Sequence, residues 1–550
     1  MSECMMEVKT APLAPVGKSI ALACFSDPVA TGNLYIEVIV HQFRGIADDQ
    51  RLQNAYQTIV NRHDALRTVF NVQDSDIVAT VHPSGSVPAD LQVLSLEEHD
   101  IDAPQVKDAL NKAAQKPFNL GQAPLARLVI IHAQANRHLL LLCYNHCVMD
   151  GGSQGIWIRE LEALYNGETL PTLDHHYTDF AAWEQDLLTA QDSKLATNQL
   201  DYWRTTLSGA PETLELPGDH SRPPVCSFLG KMVTFSIPED IRTGLSPFMA
   251  RERQSLLRVM LAAYTITLNK YSQQNEVVIT VPRSLRRPIV DDGIIGNFIN
   301  ILPIRLEVND FTPFKDAVKI TGQAVKDAVA NGDVPFESIV KACCTGRNAA
   351  YSAIAQALIT VHDQGWFKAP ALDGLASEPC SIPVDTGRCI NDITLRILPG
   401  DTSMDCQLLY NTEVFSEKNI ARLVDSFLHV LRAALENPDA PSIDVLEYLA
   451  NLLLNQSVTF FNTVPSLGLE YYRRPAAKSC VALKSAIFSG EAMPMELVHL
   501  IHRNVPKGVR VYNAYGKINM SLVVFFWEER EDVYPLMLFY LFLNFFCRSN

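Results

Sequence analysis

Basic residues are what this 550-residue chain most plainly lacks: 46 lysines and arginines face 61 aspartates and glutamates, for a formal net charge of -15. A nucleic-acid partner calls for a basic surface to neutralise phosphates, so that class is set aside. Metal-ligand spacing is missing from the twelve cysteines. Cys343 and Cys344 are adjacent, while Cys143 and Cys147 flank the end of one apolar run. Reduced, buried thiols are expected and no metal site. The opening residues, MSECMMEVKTAPLAP, carry an acid where a secretory leader needs bases, and contain no apolar core. A cytoplasmic location is expected. Long apolar runs are absent too: the densest, Tyr534 to Phe546, falls short of the ~20 residues that span a bilayer, so no membrane partner is expected. What remains is ordinary globular composition, 47% hydrophobic and 19% charged, in a chain long enough for several domains with large cores.

The stretch with most chemistry is Tyr144 to Ser153, YNHCVMDGGS. Leu139 to Tyr144 reads as a buried strand leading into it. A helix follows, with Ser153 as the expected N-cap, Trp157, Leu161 and Leu164 on one apolar face, and Asn166-Gly167 as the stop. His146, Asp150 and Gly151 then lie on a strand-to-helix loop, where a rigid scaffold commonly presents reactive groups. A free imidazole titrates near about 6.5 and can accept a proton at neutral pH. Asp150 could orient that imidazole, or pair with an arginine and hold the loop. Gly151-Gly152 lets a substrate approach the backbone and leaves amides free to face an oxyanion. By average residue frequencies a lone His-x-x-x-Asp-Gly occurs in roughly one chain in twenty of this length, so the motif alone decides nothing.

It has company. NHCVMDGGS resembles the HHxxxDG motif of nonribosomal peptide synthetase condensation domains, with His146 matching the second, catalytic histidine, Asp150 the structural aspartate and Gly151 the glycine. Asn145 replaces the first histidine. Asn61 to Phe70 resembles RHExLRTxF, Tyr177 to Trp183 YxDFAxW, Ile295 to Arg305 IGxFVNTLPLR, and Asp333 to Glu337 DxPFE. Five matches in family order make the resemblance specific. Near the start, Gly17 and Ser19 stand where the family's SxAQxRL has glutamine and arginine.

The resemblance implies an α/β (α+β) fold of the chloramphenicol acetyltransferase superfamily: two lobes, residues 11–190 and 191–447, forming a V-shaped pseudo-dimer around an inter-lobe tunnel, after a disordered lead at 1–10. The breaker-rich Leu216 to Pro224 reads as a linker. The implied activity is amide-bond formation between an acyl or peptidyl thioester and an aminoacyl group. Each would arrive on the phosphopantetheine arm of a carrier domain supplied in trans, to a monomer binding no cofactor itself. His146 would act as base or hold the amine; Gly151 amides and the Ser153 hydroxyl would face the oxyanion. Arg67 and Arg283 are the candidate partners of Asp150, while Arg286-Arg287 reads as a solvated basic turn. Asn300 is placed beside the channel. The rivals are a non-catalytic carrier-docking module and a related O- or N-acyltransferase.

Beyond 447, Leu483 to Ala492 and Val511 to Gly516 resemble the gGEA and NAYGPTE segments of adenylation domains. Lys517-Ile518-Asn519 then replaces Pro-Thr-Glu, and no glycine-rich phosphate loop is found. A partial α/β adenylation fragment at 448–516 and an aberrant apolar tail at 517–550 are expected, from truncation or mis-splicing, with no adenylating activity.

Overall fold

A computed structural model of the chain describes residues 9–439 apart from short gaps, together with five short strands farther on. Of the expected disordered lead at residues 1–10, 1–8 lie outside the described residues, while Lys9 and Thr10 are ordered in the first strand; most of 448–516 and of 517–550 also lies outside them, the five short strands apart. The described backbone forms three sheets before residue 440. In a small antiparallel one, β1 (Lys9–Ala11) pairs β4 (Asp76–Val81), which pairs β3 (Thr68–Gln73).

The second sheet has the order β12 (Leu375–Glu378), β2 (Ile36–Gly45), β7 (Arg137–Asn145), β6 (Ala126–Ala133) and β5 (Asp90–Leu96). Its centre explains the leucine run. Successive side chains of a strand point to opposite faces, and both faces of β7 are covered. Leu140, Leu142 and Tyr144 enter one core with Ile156, Trp157 and Leu161 of the Gly151–Tyr165 helix. Leu139, Leu141 and Cys143 enter another with Val106 and Leu110 of the Pro104–Gln115 helix. The Asp49–Arg62 helix is capped by Asp48, whose carboxylate accepts from the Arg51 amide, and buries Leu52, Tyr56, Ile59 and Val60 along one face.

The third sheet runs β10 (Ile299–Glu307), β9 (Glu276–Ser284), β11 (Ala357–Val361), β13 (Ile393–Pro399), β14 (Met404–Asn411) and β8 (Gly230–Ser236). The Leu256–Ser272 helix packs on this sheet and is buried along nearly its whole length.

Leu216 to Pro224, the expected linker, holds no helix or strand but is tied down: Arg222 makes a two-point ion pair with buried Asp392, at 2.9 and 2.5 Å, and its guanidinium lies 4.0 Å from the Tyr351 ring centre. One strand from beyond residue 191 joins the sheet of the earlier residues, since β12 pairs antiparallel with β2. The Lys194–Leu207 helix lies with the second half through Trp203 Nε1, which donates to the Asn331 carbonyl at 2.7 Å.

The chain divides into two compact units, the second holding residues 309–316 and everything from 432 on. In that second unit β15 (Phe460–Thr463), β16 (Ser485–Ser489) and β17 (Arg510–Tyr515) pair in parallel; β18 (Ser521–Phe525) and β19 (Phe539–Tyr540) continue the sheet antiparallel.

Candidate active site

The ladder between β2 and β7 delivers His146. Asn145 is opposite Ile36, and the next amide, that of His146, donates to the Tyr35 carbonyl at 2.8 Å. On the other side Asn297 Nδ2 donates to the His146 carbonyl at 2.6 Å. The backbone is thus fixed from two directions while the half-buried imidazole lines a large cavity. Its Nδ1 is buried without a hydrogen-bond partner, and the Tyr144 ring meets it edge-on at 6.3 Å between centroids. No carboxylate among the described residues orients it.

Asp150 does the other job considered for it. It caps the Gly151–Tyr165 helix, accepting from the Ser153 amide at 2.7 Å, so it takes the place expected of Ser153. The same oxygen, Oδ1, accepts from Ser153 Oγ at 2.7 Å and Arg286 Nη2 at 2.8 Å, and Oδ2 accepts from the Phe298 amide at 3.0 Å. Ser153 Oγ meets the Gly296 carbonyl, the Gly296 amide and Arg286 Nη2 as well. A carboxylate 1% exposed is therefore neutralised and fully hydrogen-bonded, which is the condition for burying a charge. Gly152 makes room: a Cβ there would lie 3.0 Å from Arg286 Nε.

Neither arginine chosen from the sequence is the partner of Asp150. Arg67 donates through Nη1 to the His82 carbonyl, and Arg283 pairs with Asp333 at 3.1 Å. The partner is Arg286, in the basic turn read as solvated. It is recessed, with its guanidinium 4.0 Å from the Phe298 ring centre. The second arginine of that pair, Arg287, binds buried Asp291. Asn300 turns away from the cavity, donating to the Gly332 and Val334 carbonyls and accepting from the Phe336 amide, which pins the DVPFE segment to β10. Its neighbours Asn297, Ile299 and Ile301 line the cavity instead. Asn145 is 1% exposed and accepts from the Cys147 amide at 2.9 Å, so the departure from the family's first histidine still closes the loop. Ser153 is buried and does not line the cavity, whereas Gly151 and Gly152 do.

The cavity measures about 3060 Å³ and takes walls from both larger sheets. At the start of the Gly151–Tyr165 helix the amides of Gly151 and Gly152 have no intrahelical acceptor, as at any helix N-terminus, and both residues line the cavity that His146 lines. Charge enters from the opposite wall through Arg396, which binds Glu37 at 2.8 Å. Burial opposes ionisation of Glu37, but Arg396 and then His146 outweigh it and hold the carboxyl below its usual range. Burial, and then nearby Glu337, push the Glu184 carboxyl up to about 8. Glu337, a cavity residue, is also raised by burial, against hydrogen bonds from its backbone and from Ser19. Thus Ser19, at one of the unusual entrance positions, does face the cavity. Among the described residues no group of three or more His, Cys, Asp or Glu side chains could hold a metal ion, and no helix is long and apolar enough to cross a membrane.

Sequence comparison matches residues 24–449 to the condensation domain model. The chain belongs to the condensation-domain family. It is 32% identical over 405 residues to tyrocidine synthase 3 of Brevibacillus parabrevis, covering 73% of this chain and 6% of the relative. With chondramide synthase cmdD of Chondromyces crocatus it shares 29% identity over 409 residues, covering 73% of this chain and 10% of the relative. The chain thus spans a small part of the synthetases it matches. In structure it resembles the first condensation domain of the calcium-dependent antibiotic synthetase in complex with a substrate analogue, with a TM-score of 0.68 at 18% identity, covering 79% of this chain and 98% of that one. That likeness gives the mixed α/β condensation fold.

Among residues of this condensation-domain site, Arg286, Asn297, Glu37 and Arg396 were not assigned roles from sequence. The doubled arginine after β9 was a signal for Arg286, but spacing alone could not choose among Arg67, Arg283 and Arg286. Glu37 and Arg396 are 359 positions apart and carried no signal.

Proposed function

We propose that this chain joins a carrier-bound acyl or peptidyl thioester to a carrier-bound amine, releasing the donor's phosphopantetheine thiol. Residues 11–190 and 191–447 are read as the lobes of a chloramphenicol acetyltransferase-like V, and the cavity as the tunnel that two carriers, acting in trans on a monomer, reach from opposite mouths. In the reaction the amine nitrogen attacks the thioester carbonyl carbon, and the carbonyl electron pair moves onto oxygen. His146 accepts the proton of the attacking nitrogen or holds the amine in line. Gly151 and Gly152 amides face the oxyanion. Collapse breaks the carbon–sulfur bond, and the proton leaves with the thiolate as thiol. Because a thioester is already activated, holding two tethered groups in attack geometry supplies much of the acceleration.

Asp150 is assigned to the frame, with Ser153 and Arg286, and Asn145 to closure of the loop. Arg67, Arg283 and Asn300 act at a distance by fixing neighbouring segments. The chain binds no cofactor of its own in this reading and works in the cytoplasm. Residues 448–516 are read as a partial adenylation segment without adenylating activity, and 517–550 as an apolar tail. The observation that carries the proposal is the His146 imidazole on the cavity wall, with a buried, unpartnered Nδ1 and with Gly151 and Gly152 of the following helix start lining the same cavity. Mass spectrometry of loaded donor and acceptor carriers, with and without the chain, tests it. Amide product on the acceptor carrier is expected only with the chain. No product would favour the docking-module reading, and transfer to an alcohol acceptor the O-acyltransferase one.

A further inference from the structure

A base that accepts a proton becomes an imidazolium, and a low-dielectric cavity penalises that cation unless an anion is near. Asp150, four residues on, is committed to the frame, since Ser153, the Phe298 amide and Arg286 together occupy both its oxygens. The strand register supplies another carboxylate. Glu37 is opposite Tyr144 on the paired strands β2 and β7, and the His146 amide binds the Tyr35 carbonyl. With alternate residues sharing a face, Tyr35, Glu37, Tyr144 and His146 stand together, and all four line the cavity.

The other groups facing this spot have settled charges. The Tyr144 hydroxyl accepts from Gln154 at 2.6 Å and is neutral, burial having pushed it far up. His362, just past β11, is pushed down to about 4 by burial and then by Arg396, so it too is neutral. Arg396 reaches across from β13 and binds Glu37 at 2.8 Å.

We propose that Glu37 is a positioning residue of the reaction: kept ionised by Arg396 across the cavity, it supplies the anion that stabilises the His146 imidazolium, while Arg396 tempers that anion. This rests on the condensation reading for its chemical consequence, though not for its electrostatics.

The test is an NMR titration of the histidine Cε1 signals in the full chain, with His146 assigned by the signal lost in His146→Gln. Glu37→Gln should lower the proton affinity of His146 by about three- to tenfold. Glu37→Asp should restore most of the wild-type value. In carrier-bound product formation the limb of the pH profile set by His146 should move to lower pH in Glu37→Gln and stay near its wild-type place in Glu37→Asp. A His146 signal unmoved in Glu37→Gln, or moved as far in Glu37→Asp as by simple loosening, would overturn the assignment. The Glu37→Gln shift in a protein whose wild type forms no amide would sink the condensation reading and leave the electrostatic one standing.

Discussion

Three residues separate His146 from Asp150, and their surroundings are opposite. Asp150 is 1% exposed, with an arginine, two backbone amides and a hydroxyl on its two oxygens. His146 has its backbone held on both sides and its ring left open. The difference teaches how one motif divides its labour: the residue with every bond made fixes the loop, and the residue with bonds to spare is available for chemistry. Breaking the first should cost stability, and breaking the second should cost turnover.

The largest expected loss of stability is at the frame. Asp150→Ala leaves the half-buried Arg286 and the helix start without their carboxylate, and truncating one partner of such a pair costs about 3–5 kcal/mol. Urea unfolding followed by tryptophan fluorescence measures it, and the Asp150→Ala/Arg286→Ala double variant should lose much less than the sum. Next comes Gly296→Ala. A Cβ at Gly296 would lie 2.1 Å from the Tyr177 ring, which is itself tied to the Asn297 carbonyl at 2.7 Å, so overpacking of about 1–3 kcal/mol is expected in the same assay.

The smallest effect is a pH dependence at Glu184. Its carboxyl is raised to about 8 in the fold, above its value in an unfolded chain. Below the unfolded value both states are protonated and nothing is lost. As pH rises toward 8 the unfolded chain ionises first, so stability falls across that window. Glu184→Gln should therefore gain about 1–2 kcal/mol over wild type at pH 8 and almost nothing at pH 4, read from urea midpoints at the two pH values.

Local pattern carried much of the fold. The run from Leu139 to Tyr144 and the inward face of Trp157 and Leu161 on the helix after it were legible, because burial there follows a strand or helix period. The exchanged strand β12 was not: LASE is four residues with no apolar alternation, and its pairing with β2 spans more than three hundred positions. The site divides the same way. His146 and Gly151 came from one short motif, whereas the partner of Asp150 and the Glu37–Arg396 pair depend on which distant segments fold against that motif. Ser153 and Asp150 can both cap a helix, and the choice falls to Asp150 through geometry the sequence does not display.

The account rests on His146 as the open member of the pair, and single-turnover product formation from loaded carriers by His146→Ala, with its urea midpoint measured alongside, tests that most directly. A loss of about 10²- to 10⁴-fold in rate with the midpoint nearly unchanged is predicted. Full retained activity, or a collapse in stability like that of Asp150→Ala, would contradict it.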